Sequence, residues 1–221
     1  MLTQEKREAL LRLSTALVAD AMDRLGLAER VAGPAIRPVA AMTKMAGTAV
    51  TVRIISQPDV SRADLAGYHQ AFEMGREWCC PIMTIAVDPK HHHQGIFGDG
   101  AARMGLGNGF VGALIDGAVR DTAELAEMGF VVFSRTISPG FTGGKVEAVG
   151  AGEPVTVGRV EIRTGDIVLG DNDGVVAIGA SDLDAVLAKA EAIREWEVPV
   201  HKLIEAGCSS KEAVERVGEM P

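Results

Sequence analysis

Short apolar segments that alternate with short helical segments dominate the middle of this chain. Residues 46–56 and 81–88 are rich in β-branched and aliphatic side chains, which predicts two buried strands, and a helix is predicted between them over about 62–77. From Lys145 onward, short strands follow one another with turns and no helices. An alternation of strands and helices followed by strands alone fits neither a doubly wound sheet nor a sandwich. We therefore expect a layered α/β fold with a large β component.

Helical patterns occupy both ends of the chain. Residues 3–26 carry an apolar repeat that predicts one helix. A second helical region begins at Ser181, is predicted to break at Pro199, and resumes after the capping serine Ser209.

Composition and charge narrow the possible partners and the compartment. Hydrophobic residues make up 47% of the chain, which is enough for a core, and the net charge of −8 argues against a nucleic-acid partner. The sequence contains neither an apolar run of about 18 residues nor the apolar region of a signal peptide. Three cysteines, of which Cys79 and Cys80 are adjacent, do not make a disulfide framework, so we interpret that pair as buried structural thiols. We expect a reduced, cytoplasmic protein with no membrane partner.

The segment from Gly98 to Glu124 concentrates the residues that can carry chemistry. Asp99 lies between two glycines, and the pair Arg120-Asp121 follows an apolar strand and opens a short helix, where the helix dipole favours a carboxylate. Both positions are strand-to-helix transitions, and in layered α/β folds functional sites collect near the carboxyl ends of strands. A guanidinium beside a carboxylate at such a place suits a metal-bound anionic substrate. Glu124 lies one turn after Asp121 on the same helical face, where it can hold metal-bound waters.

Three other motifs in the sequence have simple structural interpretations. Residues 107–112 satisfy the dinucleotide fingerprint, but a helix precedes these glycines and a strand follows them, so we interpret them as packing and turn glycines. Residues 171–174 lack the rest of a calcium loop and predict a hairpin at Asp173-Gly174, with both central residues at positive φ. Adjacent histidines point in alternating directions, so His91, His92 and His93 are interpreted as a solvated loop. The alternative is that one of them reaches a distal anionic group of a substrate.

The central part of the chain resembles the signature region of the RraA-like family. The residues that carry this resemblance are G-D-G-A-A-R-M-G-L-G-N-G-F-V-G-A-L-I-D-G-A-V-R-D-T-A-E-L-A-E-M-G-F-V-V-F-S-R-T-I-S-P, and the similarity extends over about four-fifths of the chain. That family includes class II pyruvate aldolases acting on 4-hydroxy-4-methyl-2-oxoglutarate and 4-carboxy-4-hydroxy-2-oxoadipate. The resemblance implies a swivelling β/β/α layered domain over residues 1–180. It also implies a C-terminal helical extension over 181–221 that packs at a subunit interface of a homotrimer or hexamer, with the site between subunits.

The resemblance also implies a role for each site residue. Asp121 would hold Mg²⁺ or Mn²⁺ through one direct bond and several waters, Glu124 would act through water, and Arg120 would contact the pyruvate carboxylate or enolate. Asp99 would be the acid/base group acting through a water. The pyruvate would be cradled by the segment that contains Gly98, Gly100, Ala101 and Ala102. The implied reaction is cleavage of a small anionic 4-hydroxy-2-oxo acid to pyruvate and a carbonyl fragment through a metal-bound enolate, with oxaloacetate decarboxylation as a side activity.

The sequence departs from the family pattern at three places. Gly100-Ala101-Ala102 stands where bulky aliphatic residues are common, and the histidine loop is unusual. The C-terminus differs from the aldolase tail that supplies a carboxylate to the neighbouring site, and it leaves open whether Glu195 or Glu197 takes that part. The alternative function is a non-catalytic RraA-type regulator that binds a ribonuclease or helicase. A surface that only binds a protein has no need of Asp99, Arg120 and Asp121 together, which favours the lyase.

Overall fold

The computed structural model describes residues 1–57 and 66–221, and their secondary structure alternates as the sequence predicts. The helices are α1 (Gln4–Leu11), α2 (Thr15–Arg24), α3 (Ala66–Gly75), α4 (Asp99–Gly107), α5 (Thr122–Glu127), α6 (Leu183–Glu205) and α7 (Ser210–Val217). The strands are β1 (Arg37–Pro38), β2 (Met45–Ser56), β3 (Pro81–Val87), β4 (Gly95–Phe97), β5 (Gly112–Val119), β6 (Val131–Ile137), β7 (Val146–Ala151), β8 (Val155–Val157), β9 (Val160–Ile162), β10 (Ile167–Asp171) and β11 (Gly174–Ile178). The first residues of the helix predicted over 62–77 lie outside the described residues.

One mixed sheet organises the fold, in the order β1-β6-β5-β3-β2-β10-β11. The four inner strands β6, β5, β3 and β2 run parallel, whereas β1, β10 and β11 are antiparallel to their neighbours. Every residue of β5 is buried, as expected for a strand covered on both faces. Because parallel strands end at the same edge, the segments that follow β3, β5 and β6 are gathered on one side of the sheet.

Helices and a small hairpin cover this sheet. Phe97 of β4 stacks on Phe130, with ring centroids 5.7 Å apart, in a cluster that also buries Phe72 of α3 and Leu125 of α5. A second cluster joins α1, α2 and α6 to β10 and β11, and a third packs the β8–β9 hairpin on the sheet. The layered α/β fold with helical ends is therefore confirmed.

The C-terminal helix α6 shares its core with the N-terminal helices. Leu183, Val186, Ala190 and Ile193 are buried in the same cluster as Val18 of α2. The first half of the 181–221 segment thus packs on its own chain. Its role at a subunit interface stays a prediction.

Two helix predictions were wrong in detail. The segment 3–26 forms two helices, because Ser14 accepts a hydrogen bond from Leu17 N at 3.1 Å and so caps a new helix. Pro199 does not end α6, which continues to Glu205. Val200, the next residue, is buried, so packing of the helix outweighs the hydrogen bond that proline cannot make.

The predicted hairpin forms between β10 and β11, but its turn differs from the prediction. Asp171 pairs with Gly174, so the two loop residues are Asn172 and Asp173. Neither has a positive φ, and Gly174 takes φ 139° instead. The Asp171 carboxylate accepts hydrogen bonds from Asp173 N and Thr15 N, at 3.0 and 2.8 Å, which ties this turn to the start of α2.

None of the helices within residues 1–57 and 66–221 is long and apolar enough to cross a membrane.

Candidate active site

The two strand-to-helix transitions singled out in the sequence lie side by side. β4 runs parallel to the end of β5, with Phe97 opposite Val119, so Gly98 and Arg120 are the next residues of two adjacent strands. Arg120 N donates to Phe97 O at 2.9 Å and continues the ladder. Asp99 begins α4 and Asp121 precedes α5, so both carboxylates lie at the carboxyl edge of the sheet.

Asp121 adopts a left-handed backbone conformation, with φ 55° and ψ 40°. Few residues other than glycine do so, although Asp and Asn tolerate it, and such outliers cluster at functional sites. Its side chain makes no capping hydrogen bond to α5. Instead, Oδ2 accepts a hydrogen bond from Asp99 N at 3.2 Å and lies 3.4 Å from Arg120 Nε. Asp121 therefore connects the two transitions.

A cavity of about 250 Å³ opens beside these residues. Its lining includes Gly98, Asp99, Gly100, Ala101, Arg120 and Asp121, together with Tyr68 and Met104. The amino end of the nine-residue α4 contributes backbone N–H groups and the positive end of the helix dipole. With the Arg120 guanidinium on its wall, the cavity suits a small anion.

Glycine is required at two positions of this wall. A Cβ on Gly98 would lie 2.2 Å from Asp121 Oδ2, and a Cβ on Gly95 would lie 2.7 Å from Ser138 O and 2.9 Å from Arg120 Cδ. A Cβ on Gly100 would meet nothing within 4 Å. Ala102 lies behind the cavity wall, where it is buried and its N–H donates to Gly98 O at 3.1 Å.

Two residues near the site were not singled out in the sequence. Arg103 Nε lies 3.4 Å from Asp99 Oδ2, and the i, i+4 spacing on α4 was the available signal. Tyr68 is 5% exposed and donates its hydroxyl to Ile96 O at 3.2 Å, and its burial raises the pKa of the phenol. Tyr68 comes from α3, about thirty residues before α4, and no sequence pattern linked it to this cavity.

The donor set around Asp121 fits a hard divalent cation that keeps most of its waters. No described residue hydrogen-bonds Asp121 Oδ1, which leaves that oxygen for a ligand. Within the described ranges, no group of three or more His, Cys, Asp or Glu side chains forms a metal cluster. Glu124 is exposed in the first turn of α5, outside the cavity lining. One carboxylate with water ligands is an arrangement typical of Mg²⁺ and atypical of zinc.

The histidine loop makes structural hydrogen bonds. His91 Nε2 lies 2.6 Å from Ser56 Oγ and its Nδ1 lies 2.8 Å from Gln94 Oε1, while His92 Nε2 lies 3.1 Å from Val87 O. His93 is exposed. The cavity lining contains none of the three histidines.

Gly98→Ala tests the close contact between Gly98 and Asp121. We expect a loss of about 1–3 kcal/mol in the free energy of unfolding, because the added methyl group displaces the Asp121 carboxylate. Chemical denaturation measures this loss. Gly100→Ala is the matched stability control, because the same group enters open space two residues later, in the first turn of α4, and alanine favours helix. Equal stability of the two variants would contradict the contact.

The layered α/β fold thus places a cavity lined by one guanidinium and two carboxylates at the ends of its parallel strands. The Aldolase/RraA model matches residues 15–177, and the chain belongs to the RraA-like family. The suspected resemblance is thereby confirmed.

Two relatives and one solved structure illustrate the match. The chain is 32% identical over 155 residues to a Deinococcus radiodurans protein that bears the name "Putative 4-hydroxy-4-methyl-2-oxoglutarate aldolase", covering 68% of this chain and 88% of the relative. A Halalkalibacterium halodurans protein of the same name is 30% identical over 183 residues, which cover 81% of this chain and 79% of that relative. RraAS2 of Streptomyces coelicolor, described as an unusual member of the RNase ES inhibitor RraA protein family, superposes with a TM-score of 0.75 at 21% identity, covering 89% of this chain and 95% of that one.

Proposed function

We propose that this protein is a divalent-metal-dependent carbon–carbon lyase that cleaves a 4-hydroxy-2-oxo acid to pyruvate and a carbonyl fragment. The observation that carries the proposal is the meeting of Arg120, Asp121 and Asp99 at one cavity, joined by the Asp99 N to Asp121 Oδ2 hydrogen bond. The names of the D. radiodurans and H. halodurans relatives point to the same class of reaction.

Asp121 would hold the cation, Mg²⁺ or Mn²⁺, through Oδ1, and Glu124 would support it through water. When bound, the cation supplies Lewis-acid polarisation of the substrate's 2-oxo group. Arg120 binds the substrate carboxylate with its planar fork and adds a fixed positive charge where negative charge develops. The free N–H groups at the start of α4, around Gly100 and Ala101, orient the same anionic group.

Asp99 moves the proton. Through a water molecule it takes the proton of the 4-hydroxyl group while the C3–C4 bond breaks and its electron pair forms the pyruvate enolate. It then returns that proton to C3, which completes pyruvate and leaves the carbonyl fragment. The Asp99 side chain is 40% exposed, so a water has access to it. The central segment contains no lysine, which disfavours a Schiff-base route.

Oxaloacetate decarboxylation passes through the same enolate, so we propose it as a second activity of the same residues. A coupled pyruvate-release assay over a panel of 4-hydroxy-2-oxo acids and oxaloacetate, with and without a chelator, tests the proposal. We expect release from at least one substrate of this class, abolished by the chelator and restored by Mg²⁺ or Mn²⁺. Activity that survives the chelator would reject the metal, and no release from any member would reject the lyase.

The proposed working form is a homotrimer or hexamer in the cytoplasm, with a neighbouring subunit at the mouth of the cavity and no membrane or nucleic-acid partner. The net charge of −8 supports the absence of a nucleic-acid partner, because binding to phosphates needs a basic surface. The regulator alternative rests on the fold shared with RraAS2. It leaves the positions of Asp99, Arg120 and Asp121 unexplained, so the lyase is the better account.

Arg120→Lys should keep the positive charge and lose the planar guanidinium, which can make two parallel hydrogen bonds to a carboxylate. We expect the KM for oxaloacetate to rise and kcat to fall, with kcat/KM reduced about 10-fold to 100-fold, because the contact exists in the ground state and strengthens in the transition state. Steady-state kinetics measure both constants. Arg163→Lys is the matched control, since Arg163 pairs with Glu161 on the exposed surface. Unchanged kinetics for Arg120→Lys would remove Arg120 from the site.

A further inference from the structure

A second chemical site lies in the turn that precedes β3. The thiols of the adjacent residues Cys79 and Cys80 have their sulfur atoms 3.8 Å apart. Both residues are partly exposed, so the sequence-based interpretation of buried thiols was wrong. Exposure and proximity together allow a reagent to reach both sulfurs at once.

The backbone of this turn is held in an uncommon conformation. Cys80 has φ 49°, in the left-handed region that a cysteine seldom adopts. Thr48 holds both carbonyls, since its Oγ1 donates to Cys79 O at 3.1 Å and its N–H donates to Cys80 O at 3.2 Å. Gly47 lets this carbonyl approach, because a Cβ there would lie 2.1 Å from Cys80 O. The start of β2 thus fixes the turn that presents the two thiols as a pair.

We propose that Cys79 and Cys80 form a redox-modifiable vicinal dithiol, which a hydroperoxide closes into a cyclic disulfide. In the first step one sulfur attacks the peroxide, the O–O bond breaks, and a sulfenic acid forms with release of water or an alcohol. In the second step the neighbouring sulfur attacks the sulfenic sulfur, the S–O bond breaks, and water leaves. The two thiols lose two electrons and two protons, and the hydroperoxide accepts them.

The ring should open again readily. A trans peptide holds adjacent Cα atoms about 3.8 Å apart, which is shorter than the about 4.4–6.8 Å usual for disulfides, so the closed form is strained. Strained, exposed disulfides are the easily reduced ones. Burial and the neighbouring Cys80 thiol raise the pKa of Cys79, with Arg7 acting in the opposite direction, so without oxidant Cys79 rests as a thiol.

The dithiol is independent of the proposed active site. It lies before Pro81, at the amino end of β3, whereas the cavity lies at the carboxyl edge of the parallel strands. Closure would remove the contact of Cys80 Sγ with Gln4 Oε1 of α1, 3.5 Å apart. Failure of the lyase proposal would therefore leave this one standing.

Peptide mass analysis after peroxide treatment tests the proposal. Trypsin cleaves after Arg76 and Lys90, so one peptide contains both cysteines. We expect wild-type protein to lose two hydrogen atoms in this peptide and to resist alkylation at both cysteines, with both changes reversed by dithiothreitol. Cys208→Ser, which changes the remaining cysteine, should behave as wild type. Cys79→Ser and Cys80→Ser should each form a sulfinic acid or a disulfide between chains. The same products from wild-type protein would overturn the proposal, as would a bond to Cys208.

A spectroscopic measurement provides a second readout. The chain has two tryptophans, and Trp196→Phe leaves Trp78 alone beside the dithiol. We expect peroxide to quench Trp78 fluorescence reversibly, because a disulfide quenches a nearby indole, and we expect no such change when Cys79→Ser is added. Reduced wild-type protein should also take up one phenylarsine oxide per chain with loss of one water, which either single variant should fail to do. Quenching that persists in the Cys79→Ser background would contradict ring closure.

Discussion

The Asp121→Asn variant is expected to lose metal-dependent pyruvate release. The amide is a much poorer ligand for a hard cation, and Lewis-acid stabilisation worth about 4 kcal/mol corresponds to about 10³-fold in rate. The fold should persist, because Asn tolerates the left-handed conformation and its Oδ1 can accept the hydrogen bond from Asp99 N. Pyruvate release with saturating Mg²⁺ and a separate Mn²⁺-binding titration would measure the two effects.

Two variants on α5 serve as comparisons for Asp121→Asn. Glu127→Gln removes an exposed carboxylate from the same helix, outside the cavity, and should leave both measurements unchanged. Glu124→Gln should weaken Mn²⁺ binding less than Asp121→Asn does, since its proposed contact is through water. Full activity of Asp121→Asn, or Mn²⁺ binding equal to that of the wild type, would remove Asp121 from the metal site.

Asp99→Ala is expected to slow proton transfer with little change in substrate affinity. Positioned acid/base groups contribute about 10²–10⁴-fold in rate. The structural roles of Asp99 are small by comparison: a carboxylate in the first turn of a helix stabilises it by about 0.3–1 kcal/mol, and the exposed pair with Arg103 adds about 0–1 kcal/mol. A large fall in rate with a small fall in stability would therefore separate catalysis from structure.

Exchange of solvent deuterium into the methyl group of pyruvate isolates this step, because it needs only enolate formation and reprotonation. We expect Asp99→Ala and Asp99→Asn to catalyse this deuterium exchange slowly, while their KM values for the substrate stay near that of the wild type. Arg103→Ala should retain exchange, since Arg103 contacts the carboxylate of Asp99 from outside the cavity lining. Exchange at the wild-type rate in Asp99→Ala would transfer the acid/base role elsewhere.

The strands of the sheet were predictable because their apolar runs are long and have clear ends. The segment 46–56 became β2 almost residue for residue, and the glycines of 107–112 lie between a helix and a strand as their order predicted. Local patterns were insufficient where packing decides the outcome. Pro199 remains helical inside α6, and the segment 3–26 divides at Ser14.

The residues of the proposed site were predicted from the sequence, but the contacts between them were not. Nothing in the order of residues shows that Asp121 turns back to Asp99 N, since this depends on a left-handed φ and on the pairing of β4 with the end of β5. Tyr68 reaches the cavity from a helix in another part of the chain, and only the assembled sheet places it there. The thiol pair was visible as two adjacent cysteines, but its exposure depends on a turn that Thr48 fixes.

The open space at Gly100 makes one rim position freely adjustable. A Cβ there would meet nothing within 4 Å and the residue is exposed on the first turn of α4, so an alanine can be installed without moving its neighbours. Gly98, two residues earlier, accepts no such change. For the lyase proposed above, a methyl group at position 100 would therefore add bulk beside the cavity while the close contact between Gly98 and Asp121 stays as it is.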